Sequence, residues 1–271
     1  ALDLYEASPA IGFDGRITGA NQPEIIAGAD VVVVTAGVPR RKDPETGQFP
    51  SRDELVKINQ AIMEEVAQNI KRHAPASIVI VVSNPLDAMC HVVKEVTGFG
   101  RERIIGMAGA LDTARYKSFI ALELGVSVED VHGMVLGGHG DTMVPLPRHT
   151  SVAGIPVTEL LPAETVDAII ERTAKGGGEI VGLLGYSGFY APAAGVAVMV
   201  ESILRDKKRV MACAVHTQGE YGYRDLFIGL PVVLGRKGVE RILDMELSEG
   251  ERAMLDNSAE AVRSVVEVLG Y

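Results

Sequence analysis

Cysteine is scarce in this chain. Its 271 residues hold two, Cys90 and Cys213. Two thiols cannot form a disulfide framework, so they read as buried residues of a reducing, cytoplasmic compartment. No run approaches the 18 or more apolar residues of a membrane span. The longest, "IVIVV" and "VVVV", are strand-sized. Positive charge is in deficit: 26 Lys and Arg against 36 Asp and Glu give a net −10. That argues against a nucleic-acid or anionic-membrane surface, and an anionic substrate would need a local arginine cluster. No Cys/His spacing suggests zinc. The opening residues carry no signal-peptide pattern and no initiator Met, and "ALDLYEASP" reads as the interior of a longer sequence. No internal repeat, low-complexity segment or long linker occurs.

The length and the 47% hydrophobic content suit a globular protein of two domains. "ADVVVVTAG" (29–37) and "SIVIVVSNP" (77–85) are unbroken apolar runs. Continuous rather than alternating runs predict strands buried on both faces, as in a parallel sheet. Between them the spacing of Leu55, Ile58, Ile62, Val66 and Ile70 predicts a helix from Arg52 to His73, opened by a capping box from Ser51 to Glu54. A helix follows Pro85, and "RIIG" closes the unit at 103–106. Such alternation implies right-handed βαβ crossovers. From about residue 109 the texture changes: a helix over 111–124, close-set strands, an amphipathic region over 162–205, two long antiparallel strands, and a last helix capped by Ser248 and Glu251. The fold class is α/β: an N-terminally incomplete Rossmann-type parallel sheet (1–109), then an α+β domain (110–271).

Several segments carry candidate chemistry. In "LDTAR", Asp112 and Arg115 are three apart near a helix start and share a face; a surface ion pair is the plainer reading of the two alone. In "SNPLD", Asn84 sits where a buried strand ends, the place where open α/β sheets bind ligands; it also reads as a turn-forming Asn–Pro. "TAG" (35–37) ends the other strand, either to admit a ligand to the backbone or as a simple turn. The loop "GVPRRKDPETGQFPSRDEL" holds Arg40, Arg41, Lys42 and Arg52. A loop this long is functional or simply solvated. Arg52 lies in a helix's first turn, where a cation suits the dipole poorly, so it serves something else. Asn59 lies two turns along the same face. In "LGGHGDTMVP", His139 stands among Gly137, Gly138 and Gly140, either as a reacting imidazole or as a structural one. The glycines would leave the turn open for a ligand to reach the ring. The other five histidines have blander surroundings and read as structural.

In order, TAG, the arginine loop, the capped helix, SNP, LDxxR and GGHGD resemble the lactate/malate dehydrogenase superfamily over essentially the whole chain. The resemblance is greatest to the lactate-dehydrogenase-like malate dehydrogenases, since Gly138 stands where lactate dehydrogenases usually carry Glu or Gln. It implies that His139 is the acid/base, oriented by Asp112. It implies that Arg115 holds the substrate's C1 carboxylate, Arg52 polarises the C2 carbonyl, and Asn84 donates to the substrate beside the nicotinamide. The second carboxylate falls to Arg40, or to Arg41, because "KDPETGQFP" lengthens this loop beyond the family's. The implied cofactor is NAD, with contacts at Thr35, Ala36, Gly37, Asn59, Val82, Ser83 and Asn84. The implied substrate is a small dicarboxylate (malate or oxaloacetate), with no nucleic-acid or membrane partner, in a homodimer or homotetramer. No Gly-x-Gly-x-x-Gly occurs in the sequence. On this reading the opening βαβ is absent, NAD should bind poorly, and the sheet should expose an apolar edge. The rival readings are a lactate dehydrogenase and a non-catalytic remnant.

Overall fold

The two unbroken β-branched runs become neighbouring parallel strands in the computed structural model, which describes residues 1–39 and 51–271 apart from the side chain of Arg52. Arg40, Arg41 and Lys42 lie outside the described residues. Helix α1 (Leu2–Ile11) leads to β1 (Val31–Val34), α2 (Arg52–His73), β2 (Ile78–Val81), α3 (Leu86–Thr97), β3 (Ile104–Gly106) and α4 (Ala108–Leu124). Four short strands follow: β4 (Val131–His132), β5 (Val135–Leu136), β6 (Val144–Pro145) and β7 (Ser151–Val152). Then come β8 (Ile155–Pro156), α5 (Val157–Leu160), α6 (Ala163–Leu184) and α7 (Tyr190–Leu204). Strands β9 (Arg209–Gln218), β10 (Arg224–Gly235) and β11 (Gly238–Ile242) precede the last helix, α8 (Glu249–Glu267).

The main sheet has the order β1-β2-β3-β9-β10-β11. Its first three strands are parallel and its last three antiparallel. The halves join through one antiparallel pair, Gly106 with Ala214. The parallel strands end facing α2 and α3, which share a core with them through Met63, Ala67, Val79, Val81 and Met89. β1 lies at one edge of the sheet, with Val33 38% exposed. Cys90 and Cys213 are free and buried. Among the described residues no helix is long and apolar enough to cross a membrane.

Three local expectations change. Helix α2 runs over its expected span, but its buried row is Val56, Asn59, Gln60, Met63, Ala67 and Ile70. The apolar series from Leu55 to Val66 lies to one side, with Ile58 41% exposed. The buried row is shifted by one residue, and the amides of Asn59 and Gln60 within it find partners in the carbonyls of Asn84, beyond β2, and Leu269, beyond α8. At the α2 start, Ser51 Oγ accepts the Glu54 N–H, whereas both halves of a capping box are made at Ser248 and Glu251. Helix α4 begins at Ala108, so Asp112 and Arg115 stand in its second turn rather than at its start.

Candidate active site

His139 follows β5 in a turn fastened from three directions. Gly137 exchanges backbone hydrogen bonds with Gly229 of β10, at 2.9 and 3.0 Å. Ser258 of α8 accepts the Gly138 N–H at 2.8 Å and donates to Thr142 Oγ1 at 3.3 Å. Asp87, in the first turn of α3, accepts the His139 N–H through Oδ2 at 3.0 Å. This alters the purpose of the glycines. A Cβ at Gly137 would lie 2.7 Å from Ser258 Oγ, and one at Gly138 would lie 2.4 Å from Val262 Cγ2. Those two glycines make room for α8, and only Gly140, with φ +138°, borders open space.

The imidazole itself meets Asp112, whose Oδ2 lies 3.0 Å from His139 Nδ1. Asp112 is 2% exposed. Its other oxygen lies 3.5 Å from Arg115 Nη1, one helical turn further along α4. One buried carboxylate therefore joins the ring and the guanidinium. Burial alone would lower the His139 pKa. The charge and hydrogen bond of Asp112, with the charge of Asp87, outweigh burial and the opposing Arg115, and hold it above the ordinary histidine value. Asp87 is buried, and burial pushes its own pKa up to about 6 despite the His139 N–H. Arg115 also donates to the Thr173 carbonyl of α6 at 3.4 Å.

The strand-end residues form a second surface. Ser83 Oγ donates to the Ala36 carbonyl, fastening the end of β2 to the end of β1. Asn59 accepts the Val38 N–H at 2.8 Å and donates to the carbonyls of Val38 and Asn84 at 3.1 and 2.8 Å. Its amide thus ties the two turns together. Thr35, Gly37 and Asn84 are exposed, and Ala36 and Val82 half-buried. The segment from Asn84 to Asp87 leads directly from this surface to the His139 turn.

Sequence reasoning missed Asp87, Ser258 and Val262. For Asp87 a signal existed: it is the one acid in the run Leu86–Val93, buried throughout, where a carboxylate must be partnered. Among the described residues no group of three or more His, Cys, Asp or Glu side chains could hold a metal.

Two family models cover nearly the whole chain. The lactate/malate dehydrogenase NAD binding domain matches residues 1–106, and the lactate/malate dehydrogenase alpha/beta C-terminal domain matches 109–269. The malate dehydrogenase of Thermomicrobium roseum is 53% identical over 269 residues, which are 99% of this chain and 85% of that protein. The malate dehydrogenase of Bacillus subtilis is 50% identical over 270 residues, with the same coverage. Among solved structures, malate dehydrogenase from Salinibacter ruber superposes with a TM-score of 0.93 at 47% identity, over 100% of this chain and 84% of that one. That from Aeropyrum pernix gives 0.92 at 42% identity, over 98% and 84%.

Proposed function

Because the chain belongs to the lactate/malate dehydrogenase family, we propose that it is an NAD-dependent malate dehydrogenase interconverting (S)-malate and oxaloacetate. The observation that carries this reading is the bridging carboxylate. Asp112 holds a proton-exchanging ring at 3.0 Å and a carboxylate-binding guanidinium at 3.5 Å. A 2-hydroxy acid presents the same two needs, a proton at its C2 oxygen and a cation at its C1 carboxylate.

The cofactor supplies the hydride when bound. In reduction the C2 oxygen gains a proton as the hydride reaches C2, and His139 gives that proton from Nε2, since Nδ1 is engaged by Asp112. The raised pKa favours the charged ring, the form that gives the proton. In oxidation the neutral ring takes the proton from the malate hydroxyl, and Asp112 stabilises the imidazolium that forms. Arg115 holds the C1 carboxylate through paired hydrogen bonds. By resemblance, Arg40 or Arg41 meets the second carboxylate, Arg52 polarises the C2 carbonyl as charge gathers there, and Asn84 donates to the substrate.

The strand ends fit the nicotinamide half of NAD: Thr35, Gly37 and Asn84 are exposed there, and Asn59 ties the Val38 and Asn84 turns together. Residues 1–109 are the dinucleotide-binding domain, which also lends the substrate Arg40 or Arg41, Arg52 and Asn84, and 110–271 are the substrate and catalytic domain. No Gly-x-Gly-x-x-Gly is present, so no residue of this chain is assigned to the pyrophosphate. The lactate and remnant alternatives are not favoured, because the similar proteins and structures named above are malate dehydrogenases. A cytoplasmic homodimer or homotetramer completes the reading. Replacing His139 by Asn tests it: oxaloacetate-dependent NADH oxidation should fall by ~100-fold or more, the share carried by a general acid. An unchanged rate would remove His139 from the reaction.

A further inference from the structure

Helix α6 carries three consecutive glycines, Gly176, Gly177 and Gly178, inside 22 helical residues. Each costs about 1 kcal/mol of helix stability relative to alanine. Gly177 and Gly178 are exposed, and a Cβ on either would meet nothing within 4 Å. Gly176 differs. It is buried, and a Cβ there would lie 2.3 Å from Arg115 Cδ, 2.6 Å from Nε and 3.3 Å from Cζ. The Arg115 stem crosses α6 at Gly176, where there is no side chain to meet it. The same guanidinium reaches the Thr173 carbonyl one turn earlier at 3.4 Å and Asp112 at 3.5 Å.

We infer that Gly176 is a positioning residue for the substrate-carboxylate clamp: the missing side chain sets where the Arg115 guanidinium lies. The clamp's role rests on the dehydrogenase reading above, whereas the steric relation between the two residues does not. Arg115 Nη1 makes both contacts, with Asp112 of α4 and with the Thr173 carbonyl of α6, so a side chain displaced by a methyl group at 176 disturbs the two together. Such displacement would misalign two parallel hydrogen bonds to a carboxylate.

Alanine substitution separates this role from ordinary helix propensity. Gly177→Ala and Gly178→Ala should each raise the thermal midpoint by about 2–4 °C. Gly176→Ala should give no such gain, and should raise KM for oxaloacetate by ~10-fold or more with kcat much less affected. In an Arg115→Ala background, Gly176→Ala should regain the stabilisation seen at 177 and 178. That thermal cycle needs no turnover. If Gly176→Ala stabilises the unmutated chain as much as its neighbours do, or if KM stays constant while the unmutated chain turns over oxaloacetate, the inference is overturned. Lack of oxaloacetate turnover in the unmutated chain would count instead against the malate dehydrogenase reading, and the thermal cycle would still decide whether Gly176 shapes Arg115.

Discussion

The carboxylate of Asp87 accepts the backbone N–H of His139 at 3.0 Å, while Asp112 engages the ring of the same histidine from another helix. Two acids from two elements thus fix one imidazole, one through its main chain and one through its side chain. Both also raise its pKa. Asp87→Asn keeps a hydrogen-bond acceptor for His139 and removes the charge. The acid limb of kcat/KM for malate oxidation should then move to lower pH, because the neutral ring persists further into acid. A uniform fall in rate at every pH would assign Asp87 a purely structural part.

Gly138 has Val262 Cγ2 at 2.4 Å from the place of a Cβ. Gly138→Ala should therefore destabilise the fold by about 1–3 kcal/mol, the usual cost of overpacking. Val262→Ala in the same chain should recover part of the loss. Denaturant titration of the three variants checks this, and additive losses would show that the two positions do not collide. By the same argument Gly138→Glu should unsettle the packing of α8 rather than confer a preference for pyruvate.

Arg115 serves a planar, two-point contact in this account. Arg115→Lys keeps the charge but cannot make both hydrogen bonds. KM for oxaloacetate should rise by ~10–100-fold, in keeping with the loss of one charge-assisted hydrogen bond. Steady-state kinetics decides the matter, and an unchanged KM would place the C1 carboxylate elsewhere.

Away from the site, His91 accepts the Phe227 N–H at 3.1 Å, and burial, with the nearby His216 and Lys94, pushes its pKa down to about 4. The unfolded chain takes up this proton near pH 6.5, before the folded one does. The stability tied to neutral His91, up to about 3 kcal/mol, is therefore present above pH 6.5 and lost as pH falls toward 4. Asp87 acts oppositely: its raised pKa makes the folded chain protonate first, near pH 6. His91→Gln keeps the acceptor and removes the titration. The stability lost between pH 7 and pH 5 should be smaller in this variant than in the unmutated chain, and an equal loss would contradict the assignment.

Much of the frame was legible because local signals coincided. The Ser51 cap and the basic last turn mark both ends of α2, and the unbroken runs mark β1 and β2. The buried face of α2 was not legible, since the sheet chose a row with two amides over the apolar series beside it. Strand β11 left no pattern, because "GVERI" mixes charge with two β-branched residues. Asp112 and Arg115 could be paired by helical spacing, and the motif order joined them to His139. Asp87 and Ser258 hold backbone groups 52 and 120 positions away. Only the packing of α3 and α8 on the histidine turn brings them there.

Arg115 and His139, with the loop arginines assigned by resemblance, are proposed to serve a dicarboxylate. NADH oxidation by this chain, with oxaloacetate and pyruvate compared at equal concentrations, tests it most directly. The account predicts kcat/KM for oxaloacetate above that for pyruvate by about a hundredfold or more, since a site built around a second carboxylate is left with an unpaired cation by pyruvate. Faster turnover of pyruvate would contradict it.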